Sequence, residues 1–139
     1  MRKSMLGGVI VAGVVLGLSG AAPAQSPADI QRALEAEARQ TTPGFQGFSA
    51  ERGQQFFKAP HGNDWTCATC HTADPRQPGR HATTGKTVAP LAPVANAERF
   101  TSRASVDKWF KRNCNDVLGR TCTPVEKGDV LAWLLSLGR

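Results

Sequence analysis

Residues 67 to 71 read Cys-Ala-Thr-Cys-His. Two thiols one helical turn apart, followed at once by an imidazole, form C-x-x-C-H, the spacing that attaches a c-type haem. Each thiol adds across one vinyl group of a single porphyrin, and the neighbouring histidine then lies under the iron as its axial ligand. A thioredoxin-like redox pair would want a βαβ setting, which this pattern of helices and loops lacks. Zinc would want a second close pair of ligands. The only other cysteines, Cys114 and Cys122, are spaced too widely for that. A plain disulfide would leave His71 without a role. Cys67, Cys70 and His71 are therefore expected to hold one covalently attached haem c, with His71 as the proximal iron ligand.

The N-terminus sets the compartment. Arg2 and Lys3 precede an apolar stretch from Met5 to Leu18, and Ala22-Pro23-Ala24 follows. This is the form of a secretory signal peptide, residues 1–24, cleaved after Ala24. As an anchor the apolar run falls short of the roughly 20 residues that span a bilayer. The signal holds two of the 17 Lys and Arg and none of the 11 Asp and Glu, so the remaining 115 residues carry 15 basic against 11 acidic side chains, a net +4. That length is one domain. Export and the scatter of the basic residues argue against nucleic acid, whereas an acidic protein partner suits the charge. Export also permits disulfides.

The exported part divides at about residue 48. In residues 25–48, Ile30, Leu34 and Ala38 recur at helical spacing behind Ser26 and Pro27, which predicts an amphipathic helix, peripheral and frayed, followed by a Gly/Phe/Pro linker. In residues 49–139, Ser49 is placed to cap a short helix whose buried side is Phe56 and Phe57. Gly53, on the same face as Phe57, costs about 1 kcal/mol against alanine in a helix, and so predicts a second backbone close by, that of the last helix. This helix opens with Thr123, Pro124 and Glu126, a capping box, and carries Val130, Leu131, Trp133, Leu134, Leu135 and Leu137. A further helix from Ser105 to about Asn113 puts Val106, Trp109, Phe110 and Asn113 on one face. Residues 72–100, rich in Pro, Gly and Thr, give no strand pattern and read as a loop wrapped around a cofactor.

A short helix before C-x-x-C-H, a wrapping loop and an apolar last helix resemble a class I cytochrome c, in which the first and last helices cross at a glycine and an aromatic. Gly53 and Phe57 match those positions, and the resemblance runs from about Ser49 to Gly138. It implies a mainly α, single-haem domain of about four to five helices. Most such proteins complete the iron with a late methionine, but Met1 and Met5 are the only methionines here. His61, His81, Asn113, Asn115, a lysine, water or an empty position remain for the sixth coordination site. Lysine must first lose a proton of pKa near 10.4, which disfavours it. Asn113 closes an apolar stripe late in the chain, and Cys114 beside it can bond to Cys122, a pairing that export favours.

The stretches TGKTVAPLAP, ERFTSRASVDKWFKRNCNDVLGRTCT and EKGDVLAWL resemble the sphaeroides haem protein family of oxygen-binding class I cytochromes c. The resemblance implies that Asn113 is the sixth ligand of the oxidised iron and leaves on reduction, and that Cys114 and Cys122 form a disulfide. It further implies a periplasmic protein that transfers one electron and binds O2, NO or CO at ferrous haem. Its electron donors would be another c-type cytochrome, dihaem in one version, and a membrane cytochrome b. Trp109 and Phe110 are expected in the wall of the gas pocket. The segment VAPL resembles the one whose proline carbonyl accepts the proximal histidine N–H, which assigns that role to Pro90. Rival readings are a six-coordinate electron carrier without gas binding and a haem reductase or peroxidase. The latter is disfavoured because no distal His and Arg pair is evident.

Overall fold

A computed structural model describes residues 24–62 and 64–139, so the signal-peptide reading falls, apart from Ala24, outside the described residues. These form five α-helices and one very short hairpin. Helix α1, Pro27–Thr41, opens on a capping box in which Ser26 and Asp29 satisfy each other's backbone N–H. Helix α2, Ala50–Lys58, is capped by Ser49, and α3, Cys67–His71, is a single turn of helix. Strands β1, Gly79–Arg80, and β2, Thr87–Val88, pair antiparallel, Gly79 opposite Val88. This is the one regular element in the loop read as strandless. Helix α4 is Arg103–Leu118 and α5 is Pro124–Ser136, the latter with the expected capping box of Thr123 and Glu126.

The core is organised by α5, whose Gly128, Asp129, Val130, Leu131, Trp133 and Leu134 are all buried. Against it α2 crosses at backbone distance. A Cβ built on Gly53 would stand 1.9 Å from the Asp129 carbonyl oxygen and 2.8 Å from the Val130 nitrogen, so only glycine fits. Phe57, one turn on, is buried against Trp133 with ring centroids 5.0 Å apart. The carboxylate of Asp129, 4% exposed, accepts hydrogen bonds from the Ser49 backbone N–H (2.6 Å) and from Arg52 Nε (2.8 Å) and Nη2 (2.9 Å). A buried charge is tolerable when paired and hydrogen-bonded in this way, and the pair locks α5 to the start of α2.

Two expectations need correction. Helix α1 is neither peripheral nor frayed: Ile30, Leu34 and Ala38 are fully buried and the helix packs on α5. Its apolar stripe is narrow, but α5 is apolar around so much of its circumference that it takes two partners. The Gln25 N–H donates to the Thr101 carbonyl (3.1 Å), the Arg103 N–H donates to the Gln25 side chain (2.7 Å), and Arg103 pairs with Glu37, which ties α1 to the start of α4. Helix α4 also runs on past Asn113 to Leu118, stopped by Gly119 in the left-handed conformation (φ 69°). Asn113 is thus inside the helix. None of the described helices is long and apolar enough to cross a membrane.

Candidate haem site

One turn of helix carries the attachment residues, and local contacts fix it. Thr66 and Thr69 form a capping box at the start of α3. At its end Thr72 takes a positive φ of 62°, uncommon for a residue with a side chain and costing of order 1–3 kcal/mol. The β1 strand lies against this turn. A Cβ on Gly79 would meet the Cys70 carbonyl oxygen at 1.9 Å, and the Ala82 N–H donates to Cys70 Sγ (3.3 Å). Cys67 and Cys70 are free thiols, whereas Cys114 and Cys122 are bonded, with Cα atoms 5.7 Å apart.

Both motif cysteines and His71 open onto a cavity of about 640 Å³, within the range of roughly 300–1,000 Å³ typical of cofactor pockets. Burial pushes the Cys67 thiol up to about 11, so it is protonated at neutral pH. Burial, helped by the charge of Arg99, holds His71 down to about 4, so its ring is neutral and has a lone pair to give a metal. The hydrogen bond expected from His71 to Pro90 is not made. His71 Nδ1 is buried without a partner. The Pro90 carbonyl accepts from Arg99 Nε (2.9 Å) and Asn96 Nδ2 (3.4 Å), while Arg99 Nη2 donates to Ala89 (2.7 Å). A charged donor makes hydrogen bonds roughly twice as strong as a neutral one, which accounts for the guanidinium holding this carbonyl. Pro90 is not among the lining residues, although Ala89 and Leu91 are.

Helix α4 supplies another part of the lining: Val106, Trp109, Phe110 and Asn113, the four residues read as one face, all border the cavity. Trp109 is nevertheless 45% exposed, with Lys108 and Arg112 beside its ring. The disulfide begins at the residue after Asn113, and both its cysteines also border the cavity. The other ligand candidates separate. His61 is outside the lining, its Nε2 donating to the Phe56 carbonyl at 2.8 Å. Asn115 is on the exposed side of α4. His81 does border the cavity, but its Nδ1 accepts the N–H groups of Thr83 and Thr84 (3.3 Å each), which leaves the ring proton of the neutral form on Nε2. Lys86 borders the cavity as well.

Among the lining residues that the sequence does not single out are Trp65, Arg99 and Phe100. Trp65 stands two residues before the motif, where position alone gives a signal. Phe100 is buried with a positive φ of 58°, a backbone state no pattern of residue types announces. Arg99 reads as one more surface cation until the carbonyls of 89 and 90 come within its reach.

The lining fits one porphyrin. It is largely apolar, it presents two unbonded thiols a turn apart, and it places a neutral imidazole directly after them. Among the described residues no cluster of three or more His, Cys, Asp and Glu side chains forms a metal site of any other kind. What such a fold and site define is a monohaem c-type cytochrome with haem bound covalently through Cys67 and Cys70.

Known proteins agree. Residues 43–134 match the family model described as "Domain of unknown function (DUF1924)". Over 89 residues the chain is 53% identical to cytochrome c-type protein SHP of Cereibacter sphaeroides, covering 61% of this chain and 68% of that one. It is 40% identical over 103 residues to cytochrome c'' of Methylophilus methylotrophus, covering 71% and 72%. The solved structure of oxidised SHP, described as an oxygen-binding cytochrome c, superposes with a TM-score of 0.71 at 44% identity, covering 81% of this chain and 98% of that one. Oxidised cytochrome c'' of M. methylotrophus gives 0.70 at 36% identity, covering 79% and 93%. The chain belongs to the sphaeroides haem protein family.

Proposed function

We propose that this protein is a periplasmic carrier of single electrons that binds O2 or NO when reduced, and that Asn113 governs access to the iron. The carrying observation is the position of Asn113: it borders the cavity from a helix whose next residue is clamped by a disulfide, in a chain with no methionine after Met5. The haem, when bound, supplies one-electron iron chemistry and, in the ferrous five-coordinate state, a position for a diatomic gas. The neutral imidazole of His71 would hold the iron from one side. The amide oxygen of Asn113, a weak and neutral donor, would suit ferric iron better than ferrous, so Asn113 would be the ligand given up on reduction. Once free, its NH2 group is a hydrogen-bond donor within the same cavity. Trp109 and Phe110 limit what enters.

Two relatives support this reading. SHP is described as oxygen-binding, and work on M. methylotrophus cytochrome c'' concerns the basis of haem-ligand detachment. The donors in the proposal are another c-type cytochrome, dihaem in one version, fed by a membrane cytochrome b. A second reading has one observation in its favour: His81 also borders the cavity, and as a permanent second axial ligand it would make a six-coordinate carrier that takes no gas. Titration of the anaerobically reduced protein with CO and with NO separates the two. Saturable spectral shifts with both gases are expected. A ferrous spectrum indifferent to both, and changed by His81→Ala, would replace the first reading with the second.

A further inference from the structure

The outward face of α4 is a concentration of unpaired positive charge. Lys108, Lys111 and Arg112 are exposed and form no ion pair among the described residues. Elsewhere Arg32, Arg39, Arg52, Arg76, Arg103 and Arg120 each pair with a carboxylate, while Lys58, Arg80, Lys86, Arg99 and Arg139, also without an ion pair among the described residues, lie outside α4. Helical spacing gathers these three α4 cations around one arc with Trp109, whose ring takes Lys108 at 5.6 Å and Arg112 at 5.7 Å. Trp109 is one of two large hydrophobic side chains that are exposed among the described residues. It also borders the haem cavity, so it spans from solvent to the site. Asp116, near the end of the helix, is the single acid on this arc, and Asp107 is already taken by Arg103 and Lys127.

An exposed aromatic ringed by uncompensated cations is the composition of a docking surface, since aromatic and arginine side chains anchor interfaces while surplus charge steers the encounter. We propose that Trp109, Lys108, Lys111 and Arg112 form the surface on which an acidic redox protein docks to deliver its electron. A second copy of this chain, itself basic, does not complement such a patch. The proposal rests on the electron-carrier half of the function above and names its place of contact. In the step, the reduced partner gives up one electron and is oxidised by one equivalent, the haem iron goes from ferric to ferrous, and no atom is transferred.

Flavodoxin, an acidic one-electron donor protein, serves as the probe. Stopped-flow reduction of the ferric holoprotein at low ionic strength is compared for the wild type, Lys108→Glu/Lys111→Glu and the charge-matched control Lys58→Glu/Arg139→Glu. The same three proteins are reduced by photogenerated deazaflavin, a small uncharged donor. The docking surface predicts a bimolecular rate with flavodoxin lower by at least about tenfold in the α4 variant than in the control, a gap that closes as salt is added, with equal deazaflavin rates throughout. Equal slowing in both variants would mean that net charge alone steers the encounter, and would overturn the proposal. Binding to phosphatidylglycerol vesicles that is lost in the α4 variant, without a change in the flavodoxin rate, would assign the patch to a membrane and also overturn it. If deazaflavin itself fails to reduce the wild type, the electron-carrier reading falls first.

Discussion

Where α2 crosses α5, backbone meets backbone: Gly53 leaves no room for a single methyl group beside Asp129 and Val130. The other half of the molecule is built differently, because α3 and α4 border a cavity rather than pack into each other. They are held by caps, by the Cys114–Cys122 bond, by the ties of Arg103 to Gln25 and Glu37, by Val106 reaching the core, and by single hydrogen bonds such as Ala82 to Cys70. The contrast assigns different work to the two regions. The crossing carries stability, and altering its residues costs folding free energy. The cavity lining carries the haem-attachment residues, and Asn113 borders the same space from α4.

The comparison breaks most visibly at the crossing. Gly53→Val forces a branched side chain into the Asp129 carbonyl and is expected to cost about 3 kcal/mol, read as a fall in the denaturant midpoint. A near-normal midpoint would mean that the helices can separate, and that the crossing is not the rigid half. Next in size is the clamp behind Asn113. Cys114→Ser/Cys122→Ser opens a short loop and should cost about 2–3 kcal/mol by chain entropy. It should also alter the ferric spectrum, a change the crossing variant does not cause at temperatures where it stays folded. Asp129→Asn removes the charge that Arg52 and Ser49 share and should cost about 1–3 kcal/mol, with the visible spectrum unchanged.

How much of this was legible in residue order follows the same division. Gly53 and the Thr123 to Glu126 capping box announced the crossing because glycine cost and cap chemistry are local. The same is true of C-x-x-C-H, whose spacing is its geometry. The burial of α1 is hard to read from Ile30, Leu34 and Ala38, which make a narrow stripe, because it depends on how much of α5 is left to cover. The apolar stripe of α4 ends at Asn113, but the helix itself ends only where Gly119 supplies the left-handed stop. Pro90 was given a partner by resemblance, but Arg99, nine residues on, takes its carbonyl. Contacts of that kind rest on loop conformation, which residue types constrain weakly.

The smallest expected effect is one of pH. Burial raises the Glu126 carboxyl, but its hydrogen bonds from Arg120 and Thr123 outweigh this and leave its pKa below the ordinary 4.5. A carboxylate lowered on folding contributes stability that is complete above the unfolded value and is lost as pH falls through the folded one. Glu126→Gln should therefore flatten part of the acid limb of a stability profile, by up to about 1 kcal/mol since the pair is partly solvated. A profile unchanged below pH 4.5 would remove that cap from the account.

In the proposed function Asn113 is the group that moves. The most direct test is the visible spectrum of the purified holoprotein, oxidised and then anaerobically reduced, for the wild type beside Asn113→Ala and His81→Ala. Expected are a low-spin ferric wild type, a ferric spectrum changed in Asn113→Ala and unchanged in His81→Ala, and a high-spin ferrous spectrum common to all three. A wild type that stays low-spin on reduction, with Asn113→Ala indistinguishable from it in both states, would mean that Asn113 is not the ligand.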